Sequence, residues 1–305
     1  MGLIPDWKPV TYEPSEVIVP YFVQDTPASR ADIAAQYTTI SRLDQGVGLM
    51  LEELKRAGFE ENTLVIYSSD NGIPFPYGRT NLLDPGMAEP LLVSSPFSRE
   101  RNGQTSDAMV SLVDVTPTVL DWFGVKYPSY EIFRSHPVKL TGSSLLPLLH
   151  QEPPRGWDTV FSSHNLHEAT MYYPMRVIRN RRYKLIQNIN CNMPFPIDQD
   201  FFVSPTFQDL LSRTRQGEPT HWFSSLAKYY YRPQWELYDL KADSKERTNL
   251  AYKEEYSMLF KELKTQLKQW QNLTYDPWIC SPGGVLENVG RFPRSGICLS
   301  MDNGL

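Results

Sequence analysis

The stretch SRADIAAQYTTISRLDQGVGLMLEELKRAGF runs almost directly into TLVIYSSDNG, and this helix-then-strand junction limits the architecture more than any other feature. Apolar Ile33, Tyr37, Ile40, Leu43, Val47, Met50, Leu51 and Leu54 recur at helical spacing, so a long amphipathic helix is expected, with Ser29 as its cap and Gly58 as its stop. The run Thr63 to Tyr67 is β-branched and aromatic, which predicts a buried strand. Asp70-Asn71-Gly72 then marks a sharp exit from that strand. EPLLVSSP (89–96) reads as a second strand, and SLVDVTPTVLDWFGV as another helix ending near Gly124. Alternation of this kind predicts an α/β sheet covered by helices.

The pattern changes near residue 150, where SLLPLLHQEPPRGW brings in Pro and Gly. Beyond it, YPMRVIRNRRYKLIQNI predicts two strands joined by the polar turn RNRR, WELYDL a further strand, and DSKERTNLAYKEEYSMLFKELKTQLKQWQN a terminal helix. The expected organisation is therefore residues 1–150 as one α/β domain and 151–305 as a smaller α+β domain with antiparallel strands. A hydrophobic fraction of 41% in 305 residues is enough for cores of that size.

Charge and hydropathy narrow the function. A net charge of −5 argues against nucleic-acid binding, although a locally positive pocket for an anion stays open. No apolar stretch approaches the roughly 20 residues that span a bilayer. The opening MGLIPDWKPVTYEP has no basic segment followed by an apolar core, so no signal peptide is expected here, and its prolines read as an extended internal segment. Of the three cysteines, Cys280 and Cys298 lie in a Gly/Pro-rich tail where a disulfide would help order the chain, leaving Cys191 free. Asn272-Leu273-Thr274 is a glycosylation sequon.

Four groups of residues could carry chemistry. Asp70 and Asn71 offer a carboxylate and an amide carbonyl, which suit a hard cation; the same pair also makes an ordinary Asx turn. Arg79 follows nine residues after Asp70 on a Pro- and Tyr-stiffened loop, where a guanidinium matches an oxyanion, and a surface arginine is the alternative. His167 and Glu168 could bind an amino sugar or belong to a core. Arg176 could contact a glycan carboxylate, or share the solvated hairpin face that runs to Lys184.

TLVIYSSDNG, VDVTPTVLDWFG, LTGSSLLPLL and WELYDLKADSKERTNLA together resemble the sulfatase family. DNGIPFPYGRTNL, AEPLLVSSP, MPFPIDQDF, SPTFQDLL and YYYRPQWELYD are similar to the branch that removes N-sulfate from glucosamine residues of heparan sulfate. The resemblance runs from about Ile4 to about Cys280. It implies an alkaline-phosphatase-like sulfatase fold, here with an incomplete central sheet, plus the smaller α+β domain. It implies a lysosomal enzyme, homodimeric when full length, that acts on a heparan sulfate-type glycan. It also implies calcium held in part by Asp70 and Asn71, with Arg79 in the charged pocket and His167, Glu168 and Arg176 shaping the sugar site.

The family's nucleophile is a formylglycine made from cysteine in Cys-x-Pro-x-Arg. Cys280 sits in CSPGG with Gly284 where arginine is needed, and Cys191 in CNMPF has proline one place late. The resemblance therefore implies that the nucleophile belongs to an amino-terminal half outside these residues, and that this chain alone is an inactive fragment with half a calcium site. An O-sulfatase or phosphodiesterase of the same superfamily, or a noncatalytic glycan-binding fragment, are the alternatives.

Overall fold

The computed structural model describes residues 7–132, 136–152, 155–168, 171–287 and 297–300. In chain order the first elements are α1 (Pro27–Arg56), β1 (Val65–Ser68), α2 (Asp84–Met87), β2 (Leu91–Ser94), α3 (Val115–Trp122), β3 (Glu131–Ile132), β4 (His136–Pro137) and α4 (Leu146–His150). They are followed by β5 (Thr159–His167), β6 (Met171–Asn180), β7 (Tyr183–Asn188), α5 (Gln199–Phe202), α6 (Pro205–Gln216) and α7 (Leu226–Tyr230). The last are β8 (Trp235–Asp239), α8 (Ser257–Leu273), β9 (Gly284–Glu287) and β10 (Ile297–Ser300). The chain divides into two compact units, Met1–Arg99 with Ile197–Tyr230, and Glu100–Pro196 with Tyr231–Leu305. The compositional change near residue 150 falls inside the second unit.

In the first unit, α1 begins two residues before the expected cap. Pro27 takes the first helical position and the Thr26 hydroxyl accepts from Ser29 N, a pairing of cap and proline that leaves Ser29 buried inside the first turn. Ile33 and Ala34 are buried. The rest of the apolar stripe is not: Ile40, Leu43, Met50 and Leu51 are exposed. Helix α6 returns from a distant part of the sequence to pack on the start of α1. Thr206 N and Oγ1 donate to the Asp32 carboxylate at 2.8 and 2.5 Å, and Gln24 donates to Thr206 O at 2.6 Å.

Strands β1 and β2 form a two-stranded antiparallel sheet with Val65 opposite Ser94 and Ser68 opposite Leu91. The strand expected to be buried is only half-buried, and Tyr67 is exposed, because a two-stranded ribbon covers neither of its faces.

The second unit is built on the antiparallel sheet β5-β6-β7-β8. The polar turn between β6 and β7 closes as its sequence suggests: Asn180 Oδ1 accepts from Arg182 N at 2.9 Å and Tyr183 N at 2.7 Å. Helix α8 starts at Ser257, later than expected, and its Leu263 and Leu267 pack with Ile178, Leu185, Trp235, Leu237 and Leu250. Trp270 stacks on Phe161 of β5 with 5.2 Å between ring centroids.

Two ion pairs are buried in this unit. Lys184 Nζ lies 2.6 Å from Glu246 Oε1 with both side chains sealed from solvent. Arg176 grips Asp276 by a two-pronged contact, Nε to Oδ2 at 2.7 Å and Nη2 to Oδ1 at 2.8 Å, while Nη1 donates to the carbonyls of His164 and Met175. Burial alone would raise the Asp276 carboxyl, but hydrogen bonds from Arg176 and Gln271 hold it below the ordinary aspartate value. Replacing Arg176 by alanine strands that carboxylate, so unfolding should become easier by about 3–5 kcal/mol. Denaturant titration of the Arg176→Ala chain measures this; a change under about 1 kcal/mol would show that the pair is not held as described.

Candidate functional site

The loop leaving β1 is held in one conformation by its own backbone. Phe75 N and Arg79 N both donate to Ile73 O, at 2.8 and 2.9 Å, and Gly78 N donates to Phe75 O at 2.9 Å. Three glycines interlock where chains touch: a Cβ on Gly72 would meet Pro85 O at 2.0 Å, on Gly78 Ile73 O at 2.1 Å, and on Gly86 Asn81 O at 2.3 Å. Tyr77 and Thr80 lie in the left-handed region at φ 65° and 71°, which costs about 1–3 kcal/mol each for a residue with a side chain. The Tyr77 ring compensates by packing against Trp222, Phe223 and Tyr229, and its hydroxyl lies 2.8 Å from Ser224 Oγ.

This frame presents Asp70 and Asn71 just past the strand end. Asp70 is exposed and its Oδ1 accepts from the N–H of the next residue, Asn71, at 2.9 Å, one residue short of the bond that closes an Asx turn. Asn71 Nδ2 donates to Gly72 O at 3.0 Å, so the amide is fixed through its nitrogen. Burial and the neighbouring Asp70 charge push the Glu89 carboxyl up. The pair thus supplies oxygen donors of the kind a hard divalent cation takes, beside further negative charge. Such an ion needs 6–8 oxygens, and among the described residues no group of three or more His, Cys, Asp or Glu could hold a metal. The pair fits part of a cation site and does not complete one.

Arg79 does not stand alone. Its Nη2 lies 2.5 Å from the Asp198 carboxylate and 3.1 Å from Asp200. Asp198 is almost fully buried and also caps α5, accepting from Asp200 N and Phe201 N. Burial opposes the Arg79 charge, but the two carboxylates more than offset it and hold the guanidinium protonated. Beside Arg79 opens a cleft of about 260 Å³ lined by Asp32, Gln36, Pro74, Phe75, Arg79, Asp200 and Ser204.

The remaining expected site residues lie in the second unit. His167 is half-buried at the end of β5, opposite Met171, and Glu168 is exposed at φ 55°. His164, also half-buried, has its ring nitrogen Nδ1 3.1 Å from Tyr173 O; burial and the charges of His167, Arg232 and Arg176 push its pKa down. Arg176 is 2% exposed and bound to Asp276, so its guanidinium points into the unit and not onto a hairpin surface. Asn272 is exposed on α8. Cys280 and Cys298 are joined with Cα atoms 5.3 Å apart, and Cys191 is a free, half-buried thiol.

A family model described as Sulfatase matches residues 7–125, and one described as N-sulphoglucosamine sulphohydrolase, C-terminal, matches 77–195. Human N-sulphoglucosamine sulphohydrolase is 60% identical over 287 residues, which is 94% of this chain and 57% of the human protein. The chain belongs to the sulfatase family. A protein solved in complex with its substrate D-glucosamine-2-N,6-O-disulfate shares the fold with a TM-score of 0.58 at 24% identity, over 82% of this chain and 42% of that one. The phosphonate monoester hydrolase of Agrobacterium radiobacter does so at 0.55 and 19% identity, over 90% of this chain and 46% of that one. The chain spans about half the length of these relatives.

In this sulfatase chain, Asp70, Asn71 and Arg79 lie within the matched ranges, whereas Asp198 and Asp200 lie beyond both family models. Sequence reasoning did not single out the two aspartates. The signal was present in PIDQDFF, where an aspartate precedes a short helical run, but nothing local to it names a guanidinium over a hundred residues earlier.

Proposed function

We propose that this chain is part of an enzyme that hydrolyses the sulfamate of N-sulfated glucosamine in heparan sulfate-type glycans. The observation that carries this reading is the 60% identity to human N-sulphoglucosamine sulphohydrolase across nearly the whole chain. On this reading Asp70 and Asn71 give two oxygen ligands to a calcium ion, Arg79 sits in the pocket, and His167 and Glu168 help shape the sugar site. A divalent cation there would neutralise sulfuryl oxygens and stabilise the charge that grows on them. The chain's own contribution is to hold those oxygens still, through the interlocked loop described above. Cys-x-Pro-x-Arg does not occur in the 305 residues, so the formylglycine nucleophile must come from sequence outside them, and the chain by itself is inactive. The disulfide and the exposed sequon support an oxidising, secretory route to the lysosome. A homodimer is part of the same reading.

A chimera in which this chain replaces the matching segment of the human protein tests it. Release of sulfate from glucosamine N-sulfate is expected, with glucosamine 6-O-sulfate turned over at least about 100-fold more slowly, since a site built for one bonding pattern strongly rejects another. A folded chimera that prefers the 6-O-sulfate would move the protein to the O-sulfatase alternative.

A further inference from the structure

We propose that Asn272 carries an N-linked oligosaccharide, and that it is attached before the last turn of α8 closes. This rests on the secretory route in the reading above and is independent of the reaction.

Asn272-Leu273-Thr274 is the one Asn-x-Ser/Thr triplet in the 305 residues, and its middle residue is not proline. It stands on the solvent side of the second unit. Leu263, Leu267 and Gln271 of α8 are buried, whereas Glu262, Thr265, Gln269 and Asn272 are exposed and Leu273 is 72% exposed. The asparagine side chain has two N–H groups. One donates to Lys268 O at 3.0 Å, so replacing the other by a sugar leaves that bond in place. Transfer forms a bond from Nδ2 to C1 of the first sugar of a lipid-pyrophosphate-linked oligosaccharide and breaks the C1–O bond to the pyrophosphate. The lipid pyrophosphate leaves with the electron pair, and the amide gives one proton to a base of the transferase. Further along the chain, Cys280 is joined to Cys298, a bond that forms in the same oxidising, secretory surroundings.

The folded helix withholds the acceptor. The triplet pairs an amide with a hydroxyl two residues on, so both must face the transferase together, and side chains two apart on a helix do not share a face. Both groups are also engaged: Thr274 Oγ1 donates to Trp270 O at 2.9 Å while the Asn272 amide donates to Lys268 O. The flanking residues lock the segment. Gln271 is fully buried and its Nε2 donates to Asp276 Oδ2 at 2.8 Å, and Asp276 N donates to Gln271 O at 2.9 Å. Asp276 is held in turn by Arg176 of β6. Straightening 272–274 therefore pulls on a buried ion pair, and the triplet opens only when the end of α8 does. In the unfolded chain none of these bonds is made.

The test maps the peptide that carries residue 272 by mass spectrometry, in the chimera secreted from eukaryotic cells, alongside sulfamate turnover. Asn272 is expected to carry a glycan that peptide-N-glycosidase removes, leaving aspartate. Asn272→Gln and Thr274→Ala should abolish the modification, and Thr274→Ser should keep it. Secreted chimera with the Cys280–Cys298 bond made and Asn272 bare would overturn the site. For the order of events, chimera made without glycans is offered to purified oligosaccharyltransferase and its lipid-linked donor, once folded and once reduced and alkylated. The folded form should be modified at residue 272 at least about 10-fold more slowly, the factor that about 1.4 kcal/mol of local opening sets. Equal rates would overturn attachment before closure. A glycan at Asn272 without sulfamate turnover would leave the site standing and remove the N-sulfatase reading; turnover with bare Asn272 would do the reverse.

Discussion

Gly78→Ala is expected to unfold the loop that carries Asp70, Asn71 and Arg79. Its Cβ would stand 2.1 Å from Ile73 O and 3.0 Å from Phe75 O, and both obstacles are backbone, which has no rotamer to escape through. Relieving the overlap means moving the segment 73–79 and breaking the bonds from Gly78 N and Arg79 N that close it. The same backbone movement would release Tyr77 and Thr80 from their left-handed geometry and so dismantle the aromatic packing beneath. A loss of about 4 kcal/mol or more is expected, at the far end of what one substitution does. Gly48, inside α1, is the control: a Cβ there meets nothing within 4 Å, so Gly48→Ala should stabilise by about 0.5–1 kcal/mol. Denaturant midpoints compare the two directly. Equal midpoints would mean that the loop yields freely and cannot hold a site.

The space requirement at Gly72, Gly78 and Gly86 shows why part of this site was legible and part was not. DNG after an apolar run announces an exit turn, and the chain does turn there. Which backbone atoms press on each glycine depends on the return of residues 81–86, and no local pattern encodes that. The hairpin at Asn180 was readable because its bonds are made within three residues. The Arg176–Asp276 and Arg79–Asp198 pairs were not, because each joins positions a hundred or more residues apart. Helical spacing in α1 correctly announced the helix. It did not announce that Leu43 and Met50 stay exposed, since periodicity identifies an apolar face and not what covers it. The antiparallel pairing of β1 with β2 escaped for a similar reason: strand composition does not state the direction of its neighbour.

Asp70→Ala should have the larger effect on function. In the pair at the exit of β1, Asp70 carries the only formal charge, and Asn71 adds a neutral carbonyl whose orientation is set by its bond to Gly72 O. Removing the carboxylate takes away the charge that draws a divalent ion, whereas Asp70→Asn keeps an oxygen and loses only the charge. Even residues that merely support metal ligands cost 10- to 100-fold in affinity when changed, so loss of a ligand should cost at least about 100-fold. Among the described residues the Asp70 side chain makes one hydrogen bond, to Asn71 N, so the fold should survive its loss. The deciding measurement is the calcium dependence of glucosamine N-sulfate hydrolysis by the chimera. The wild-type segment should saturate with calcium, and Asp70→Ala should need at least about 100-fold more of the ion or show no turnover; superimposable calcium curves would contradict the assignment of this acid–amide pair to the cation.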